Sequence, residues 1–296
     1  MNKILVILNP AARGERARSL RRTIEDLPGD PLVRETRKPG DARKMAKRAV
    51  QEGFDTIVAA GGDGTVNEVV NGIDGADVTL GVLPVGTMNV FALELGIAGR
   101  DLKHAWKIIE RGRTRDIDLP VGNGAYFVQL AGVGLDAEVV RQTTPDFKKA
   151  LGPISYVLSL AQVAARKPPR LVAVDAGGKQ REGSFILIGN GRYYGGSLSL
   201  FREASLDDGL LDIVIFKNQT HWDVMRYVQA IVFGDHTGLP DVEYFQTPQV
   251  LVEADVEVPV ELDGEIAGVA PYTFGFADRK LRVLAPDHVD RRTVRK

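Results

Sequence analysis

The chain has 296 residues, of which 44% are hydrophobic and 26% charged, a composition typical of a globular protein with about two domains. Its 38 Lys and Arg residues are balanced by 39 Asp and Glu residues, which argues against bulk nucleic-acid binding, since that needs a basic excess. Cysteine is absent, so disulfides and cysteine metal sites are excluded, and a cytoplasmic location fits. No apolar run reaches the roughly 20 residues of a membrane-spanning helix, so we expect any contact with the inner membrane surface to be peripheral.

Strands alternate with helices in the first part of the chain. Strands are predicted at Lys3–Leu8, Val33–Thr36, Thr56–Ala60 and Leu80–Val85, and helices at Glu15–Leu27, Ala42–Glu52, Val66–Asn71, Asn89–Leu95 and Leu102–Arg111. Asp41 is predicted as the N-cap of the second of these helices. The alternation predicts an α/β domain over residues 1–118, a parallel sheet with helices on both faces.

After about residue 118 the pattern changes to short strands separated by Gly, Asp, Asn and Pro turns. Strands are predicted at Tyr126–Val133, Leu171–Asp175, Ser184–Gly189, Leu211–Phe216, Val250–Glu253, Val256–Leu262 and Leu281–Leu284, and helices near Phe147–Arg166 and His221–Phe233. This pattern predicts a C-terminal β-sandwich domain over residues 119–285. The charged tail, 286–296, is expected to dock back on the first domain.

Two glycine turns follow predicted strands of the first domain. GGDGT, residues 61–65, directly follows the predicted strand Thr56–Ala60, and Gly86-Thr87 follows the predicted strand Leu80–Val85. Ligands of parallel α/β sheets bind beyond the carboxyl ends of the strands. There, glycines let the backbone approach phosphate and a helix N-terminus favours its charge. Asn9, after the first strand, is expected to form a third edge of such a site.

Asp63 favours a phosphate site over a plain turn. A carboxylate beside a phosphate needs a cation between them, and Mg²⁺ fits that need. The stretch has neither the lysine of a P-loop nor the GxGxxG spacing of a dinucleotide site. The alternative is a tight turn followed by a capping box, in which Thr65 caps the helix and Glu68 is its partner.

The segments GGDGTVNEVVNG and LGVLPVGTMNVFALELGI closely resemble the catalytic domain of the diacylglycerol kinases. The order of elements is similar to that of the bacterial soluble lipid kinases (YegS-like) over nearly the whole chain. The wider superfamily includes the sphingosine and ceramide kinases, with the NAD kinases as distant relatives. The resemblance implies an NAD kinase-like first domain, a β-sandwich second domain and an active site in the cleft between them.

The same resemblance implies an ATP- and Mg²⁺-dependent lipid kinase of phospholipid metabolism. The γ-phosphate of ATP would pass to a hydroxyl of diacylglycerol or a related lipid at the membrane surface, and family likeness points to a homodimer. The ATP site would be lined by Thr36, Gly62, Asp63, Gly64, Thr65, Asn67, Glu68 and Thr87, the last of these following Gly86. Met88 departs from the family pattern, in which many members carry a small residue at that position.

Two acidic turns stand out in the second half, LDDGLLD at 206–212 and DGE at 263–265. By pattern alone, each Asp-Gly pair is also a hairpin turn. Phosphoryl transfer to an alcohol needs a proton acceptor, and the resemblance implies that Glu265 supplies it, with Asp263 as a close competitor. It also implies a structural Mg²⁺ held by the Asp208 side chain and the carbonyls of Ser205 and Leu210. A second Mg²⁺ would accompany ATP near Asp63.

Two other functions remain open at this point. One is an NAD kinase-like phosphotransferase acting on a soluble acceptor, and the other is a nucleotide-binding regulator without turnover. The LDDGLLD block and the order of elements favour the lipid kinase, and nothing obvious is missing from the catalytic set.

Overall fold

The computed structural model describes residues 3–10, 15–97, 101–142 and 168–286. The chain divides into two compact units: unit 1 comprises Met1–Leu119 and the chain from Asp278 onward, and unit 2 is Pro120–Ala277. The helix predicted at Phe147–Arg166 and tail residues 287–296 lie outside the described residues.

Unit 1 is built on a sheet with the order β2-β1-β3-β4-β20-β5. Its strands are β1 Ile4–Leu8, β2 Leu32–Glu35, β3 Thr56–Gly61, β4 Thr79–Pro84, β5 Thr114–Ile117 and β20 Leu281–Leu284; its helices are α1 Glu15–Glu25, α2 Asp41–Gln51, α3 Asp63–Ile73, α4 Val90–Glu94 and α5 Leu102–Arg111. Strands β1 to β4 are parallel, and β20 runs parallel to β4. Every residue of β3 is buried, as expected for a parallel strand covered on both faces. The predicted α/β domain is confirmed.

Helix packing in unit 1 follows from local sequence signals. Helix α5 is capped by Asp101, whose Oδ1 accepts the N–H groups of Lys103 and His104, and it ends at Gly112 in the left-handed region. Helices α2 and α3 pack so closely that a Cβ atom on Gly72 would lie 2.3 Å from the carbonyl oxygen of Arg43. The second contact packs α3, which begins within the GGDGT turn, closely against α2.

The strand predicted at Leu281–Leu284 forms, but it lies in the sheet of unit 1 and not in the β-sandwich. It pairs with β4 through Val283 and antiparallel with β5, which the sequence patterns did not predict. The local pattern of a strand does not reveal its partner, so the assignment of this strand to the second domain was wrong.

Among the described residues, unit 2 contains two antiparallel sheets with the orders β10-β9-β16-β19-β6-β7 and β15-β14-β11-β8-β17-β18. The first comprises β6 Pro120–Gly122, β7 Ala125–Tyr126, β9 Leu171–Asp175, β10 Gln180–Gly183, β16 Val250–Ala254 and β19 Tyr272–Phe276. The second comprises β8 Leu130–Val133, β11 Phe185–Gly189, β14 Leu211–Phe216, β15 Val242–Thr247, β17 Pro259–Leu262 and β18 Glu265–Val269. Further elements are α6 Leu135–Gln142, the hairpin β12 Tyr193–Tyr194 and β13 Leu198–Ser199, α7 His221–Phe233 and a 3₁₀ turn at His236–Gly238.

The core of unit 2 follows from the alternation of side chains along β11. Ile186 and Ile188 belong to a buried cluster that draws on both sheets. Phe185 and Leu187, on the opposite face, pack with residues of α6 and α7. The second sheet is therefore covered by the first sheet on one face and by helices on the other, and the predicted β-sandwich is confirmed.

The strand predicted at Tyr126–Val133 is interrupted, leaving β7 and β8. The N–H groups of Val128, Gln129 and Leu130 donate to the carboxylate of Asp263 instead of to a neighbouring strand. Of the helices within the described ranges, none is long and apolar enough to cross a membrane.

Candidate active site

The residues predicted to bind nucleotide follow the carboxyl ends of strands β1 to β4. Because these strands are parallel and in register, their ends meet at one edge of the sheet. Backbone hydrogen bonds continue the ladder past that edge: Thr36 N to Leu8 O at 2.9 Å, Asn9 N to Ala60 O at 2.9 Å and Val85 N to Gly61 O at 3.2 Å. The fold thus brings Asn9, Thr36, the GGDGT turn and the Gly86 turn together.

The two glycine turns contact each other directly. A Cβ atom on Gly86 would lie 2.4 Å from the Cα of Gly62 and 2.7 Å from Oδ1 of Asn89, so only glycine fits there. Asn89 holds this turn: its Oδ1 accepts the Gly86 N–H at 2.9 Å and its Nδ2 donates to the Gly86 carbonyl at 3.1 Å. Thr87 is exposed beside it. Asn89 was absent from the predicted site residues, although its place at the start of a helix after Gly-Thr was a usable signal.

Asp63, in the GGDGT turn, forms a second link to the segment that follows Gly86. It is the first residue of α3, and its Oδ1 accepts the N–H of Phe91 in the first turn of α4 at 3.0 Å. Gly64, half-buried, is the next residue of α3. The carboxylate is therefore held at the junction of the turns by a backbone contact.

The alternative of a capping box formed by Thr65 and Glu68 does not hold. Helix α3 begins at Asp63 with Gly62 as its N-cap, which leaves Thr65 buried inside the first turn. There, Oγ1 of Thr65 accepts a hydrogen bond from Nδ2 of Asn9 at 2.9 Å. Asn67, two residues further along the helix, is also buried, and it accepts from the side chain of Asn71.

Glu68 caps the neighbouring helix α2. Its Oε1 accepts the N–H of Gly40 at 2.9 Å, and its Oε2 accepts that of Ala42 at 3.0 Å. The N-cap of α2 is Gly40, with φ 83°, so the prediction of Asp41 as N-cap was wrong. The Asp41 carboxylate instead accepts the N–H groups of Arg37 and Lys38 in the preceding turn.

The DGE segment is a tight hairpin in unit 2. Asp263 and Gly264, both with positive φ (48° and 85°), join β17 to β18, so the hairpin reading of this segment is confirmed. Both carboxylate oxygens of Asp263 are engaged: Oδ2 accepts the N–H of Val128 at 2.7 Å, and Oδ1 accepts those of Gln129 and Leu130 at 3.0 Å each. Glu265, the first residue of β18, is exposed.

Behind this hairpin lies a buried acidic pair that the sequence patterns did not single out. Glu261 is fully buried, and its Oε2 accepts the N–H of Gly264 at 2.6 Å. Asp136, in the first turn of α6, is also buried and accepts the Tyr194 hydroxyl proton at 2.6 Å. Burial, and then the negative charge of Asp136, raises the pKa of Glu261 well above its usual range.

The LDDGLLD segment has two exposed carboxylates, Asp207 and Asp208, and one buried carboxylate, Asp212. Asp208 is exposed, and its Oδ1 accepts the N–H of Leu210 at 3.0 Å, whereas Oγ of Ser205 donates to Asp207 at 2.8 Å. Asp212 is buried in β14, where it accepts from the Tyr244 hydroxyl, and burial raises its pKa to about 6.

This turn offers oxygen ligands, which hard cations such as Mg²⁺ prefer. Within the described ranges, no group of three or more His, Cys, Asp or Glu residues is placed to hold a metal ion. An ion at this turn would be coordinated by the carboxylate of Asp208 and by backbone carbonyls. Carboxylate and carbonyl oxygens are ligands that Mg²⁺ accepts, so the donor set fits this ion.

Comparison with known proteins identifies the family. The model of the diacylglycerol kinase catalytic domain matches residues 3–121, and that of the YegS C-terminal NAD kinase β-sandwich-like domain matches residues 129–285. A diacylglycerol kinase of Bacillus subtilis (strain 168) is 35% identical over 251 residues, which are 83% of each chain. This chain belongs to the diacylglycerol kinase family. It is therefore a kinase, with the family's catalytic domain in unit 1.

Solved structures agree with this assignment. The crystal structure of a diacylglycerol kinase from Bacillus anthracis str. Sterne has a TM-score of 0.78 and 25% identity to this kinase, and covers 97% of this chain and 98% of its own. Yeast NADH kinase complexed with NADH aligns over 99% of this chain and 86% of its own, with a TM-score of 0.52 and 10% identity. The second likeness shows a shared fold and nothing about the acceptor.

Proposed function

We propose that this kinase transfers the γ-phosphoryl group of ATP to a hydroxyl of diacylglycerol or a related lipid, with Mg²⁺ accompanying the nucleotide. The observation that carries the proposal is the contact between the turns at Gly62 and Gly86, at the strand ends of a domain that matches the diacylglycerol kinase catalytic domain. Unit 1 binds ATP and unit 2 supplies the acceptor side of the reaction.

The start of α3 is suited to hold phosphate. The N–H groups of Asp63 and Gly64 open this helix of 11 residues and have no intrahelical acceptor, so they can donate to phosphate oxygens. Asn9 lies beside them through its bond to Thr65. Mg²⁺ offsets the charge of the phosphates when bound, which allows the Asp63 carboxylate to stand near them.

Glu265 is the better candidate for the proton acceptor. Asp263 accepts three backbone hydrogen bonds, so both of its oxygens are committed to holding the hairpin. Glu265 follows two residues later, exposed at the start of β18. In this proposal Glu265 takes the proton of the lipid hydroxyl, and Asp263 positions the turn that carries it. The Asp208 side chain and the carbonyls of Ser205 and Leu210 would hold a structural Mg²⁺, which would neutralise the acidic turn.

Peripheral contact with a lipid surface is part of the proposal. Helix α7 exposes a stripe of large apolar side chains, with Trp222 79% and Phe233 76% accessible near its two ends and Met225 between them. An aromatic and aliphatic stripe on one helix face is typical of a helix that lies in a membrane interface. Weaker sedimentation of a Trp222→Ser, Phe233→Ser variant with lipid vesicles would support this contact, and unchanged sedimentation would exclude it.

The function is tested by incubating the full chain with radiolabelled ATP and detergent-dispersed diacylglycerol, phosphatidylglycerol or sphingosine, with and without Mg²⁺. NAD is run in parallel as a soluble acceptor. We expect a labelled lipid only with Mg²⁺. Label on NAD alone would replace the lipid kinase with an NAD kinase-like enzyme, and nucleotide binding without any labelled product would indicate a regulator.

The catalytic assignment is tested by Glu265→Gln, which keeps the size of the side chain and removes the proton acceptor. We expect kcat to fall by at least about 100-fold, the usual range for a general base. Glu253→Gln on the adjacent sheet, at another exposed strand position, is the matched control. Transfer by Glu265→Gln at the wild-type rate would overturn the assignment.

A further inference from the structure

Glu261 is an unusual residue for a fully buried strand position. It is fully buried on β17, and a register shift between Val260 and Glu261 interrupts the pairing of β17 with β18. Val260 and Leu262 point into the core between the sheets, whereas Glu261 lies on the face toward α6.

Gly132 of β8 shows how closely Glu261 approaches Asp136. Glu261 pairs with Gly132, and a Cβ atom there would lie 2.8 Å from Oε1 of Glu261 and 2.7 Å from Oδ2 of Asp136. The two carboxyl groups therefore fill the space that a side chain at this position would need, and they are within hydrogen-bonding reach of each other.

Two adjacent buried carboxyl groups are not both ionised, because each charge would be desolvated and would repel the other. Asp136 is the better place for the charge, since its Oδ1 accepts the hydroxyl proton of Tyr194. As a carboxylate, Glu261 would leave Oε1 without a hydrogen-bond partner among the described residues. A proton on Glu261 supplies the missing donor toward Asp136. Asp263 is a further acidic group close enough to disfavour charge on Glu261.

The other oxygen of Glu261 connects this pair to the hairpin. Oε2 accepts the N–H of Gly264 at 2.6 Å, and Gly264 directly precedes Glu265. We propose that Glu261 and Asp136 share one proton and that this pair is a positioning device for the turn that carries Glu265. The proposal rests on the proposed function, in which Glu265 is the proton acceptor. Glu261 acts through Gly264 and does not itself touch substrate.

The kinetic test compares Glu261→Gln with Glu261→Ala. The glutamine keeps an oxygen for Gly264 and gains an amide N–H for Asp136, so it reproduces the neutral acid. We expect it to retain most of the wild-type kcat, whereas the alanine lowers kcat by at least about tenfold through misplacement of the turn. The KM for ATP stays within about twofold in both, because the nucleotide residues belong to unit 1. Glu253→Gln again serves as the control.

Two kinetic outcomes overturn the proposal. If Glu261→Gln loses as much activity as Glu261→Ala, the ionised carboxylate is what matters, and the shared proton is wrong. If Glu261→Ala keeps the wild-type kcat, the pair does not position the turn. These outcomes differ from failure of the proposed function, in which Glu265→Gln itself remains active or the wild-type chain labels no lipid.

A spectroscopic test does not depend on activity or on the folding of the alanine variant. The infrared difference spectrum between the wild type and Glu261→Gln near neutral pH is expected to contain the C=O band of a protonated carboxylic acid, shifted in D₂O. An absence of this band from the folded wild type would show that Glu261 is ionised and would overturn the shared proton.

Discussion

Gly62 and Gly86, which follow different strands, lie so close that a Cβ atom on Gly86 would stand 2.4 Å from the Cα of Gly62. The reverse substitution is not equivalent, since a Cβ atom on Gly62 would lie 3.4 Å from the Cα of Gly86, an ordinary contact. This asymmetry makes the two glycines a matched pair for testing how the two turns of the candidate ATP site fit together.

The first prediction concerns this pair. Gly86→Ala forces the turns apart and displaces Asn89, so we expect it to lower the free energy of unfolding by roughly 1–3 kcal/mol. It should also raise the KM for ATP. Gly62→Ala is expected to change stability by less than about 0.5 kcal/mol. Chemical denaturation of both variants measures the difference, and equal losses would contradict the observed packing.

The second prediction concerns Glu68 and the start of α2. Because its carboxylate accepts the N–H groups of Gly40 and Ala42, Glu68→Ala is expected to cost roughly 1–2 kcal/mol of stability, as loss of a helix cap does. Glu68→Gln keeps one acceptor oxygen and should lose less. Glu110→Ala, an exposed position on α5, is the control for removal of a glutamate from a helix. A Glu68→Ala variant as stable as the control would remove the capping role.

The third prediction concerns Gly132 in β8. An alanine there would press on the carboxyl groups of Asp136 and Glu261, so we expect a loss of about 2–4 kcal/mol in the free energy of unfolding. Gly275→Ala in β19 is the matched control, because its Cβ atom would find no neighbour closer than 3.8 Å. The midpoint temperatures of thermal unfolding are measured for both variants. Similar midpoints would show that Asp136 and Glu261 can shift to accommodate the added methyl group.

The fourth prediction concerns pH and His236. This side chain is fully buried, Nε2 lies 2.8 Å from the carbonyl oxygen of Leu200, and Nδ1 has no hydrogen-bond partner in the described part of the chain. The ring is therefore neutral, with the proton on Nε2. Burial lowers the pKa of His236 below its ordinary value of 6.5; the hydrogen bond to the Leu200 carbonyl and the charge of Asp235 oppose this shift, and the positive charge of Arg202 assists it.

The sign of the effect follows from this lowered pKa. The folded protein binds the proton less tightly than the unfolded chain, so stability is highest above 6.5 and decreases as the pH falls toward the pKa of the folded state. His236→Gln keeps a donor for Leu200 and does not titrate. Between pH of about 8 and about 5 the wild type should lose more stability than this variant in urea denaturation. Equal losses of stability in the wild type and in His236→Gln would show that His236 does not contribute to the pH dependence of stability.

Elements with strong local signals were predicted with bounds close to those observed. The predicted ranges of α5, α7, β9 and β14 coincide with the structure, because hydrophobic periodicity and turn residues act over a few positions. Strands such as β5 and β15 were not predicted, since their polar or mixed sequences become strands only through a partner.

The candidate site was recognised unevenly for a similar reason. Glycine turns can be recognised in a sequence, because few other residues tolerate such close backbone contact. Both turns were predicted from their positions directly after strands. The contacts of Glu68 with Gly40 and of Asp263 with Val128 join segments far apart in the chain, so nothing near either acid indicates its acceptor role.

The order of strands and helices, the two glycine turns and the Asp-Gly hairpin are properties of short segments, and the sequence was sufficient to establish them. Long-range pairing decided the rest: that Leu281–Leu284 joins the sheet of unit 1, and that Glu261 meets Asp136 above Gly132. The physical reason is desolvation. In water a carboxyl group has its usual pKa and is ionised near neutral pH. Its protonation state and its partners change only when distant segments close around it and remove that water.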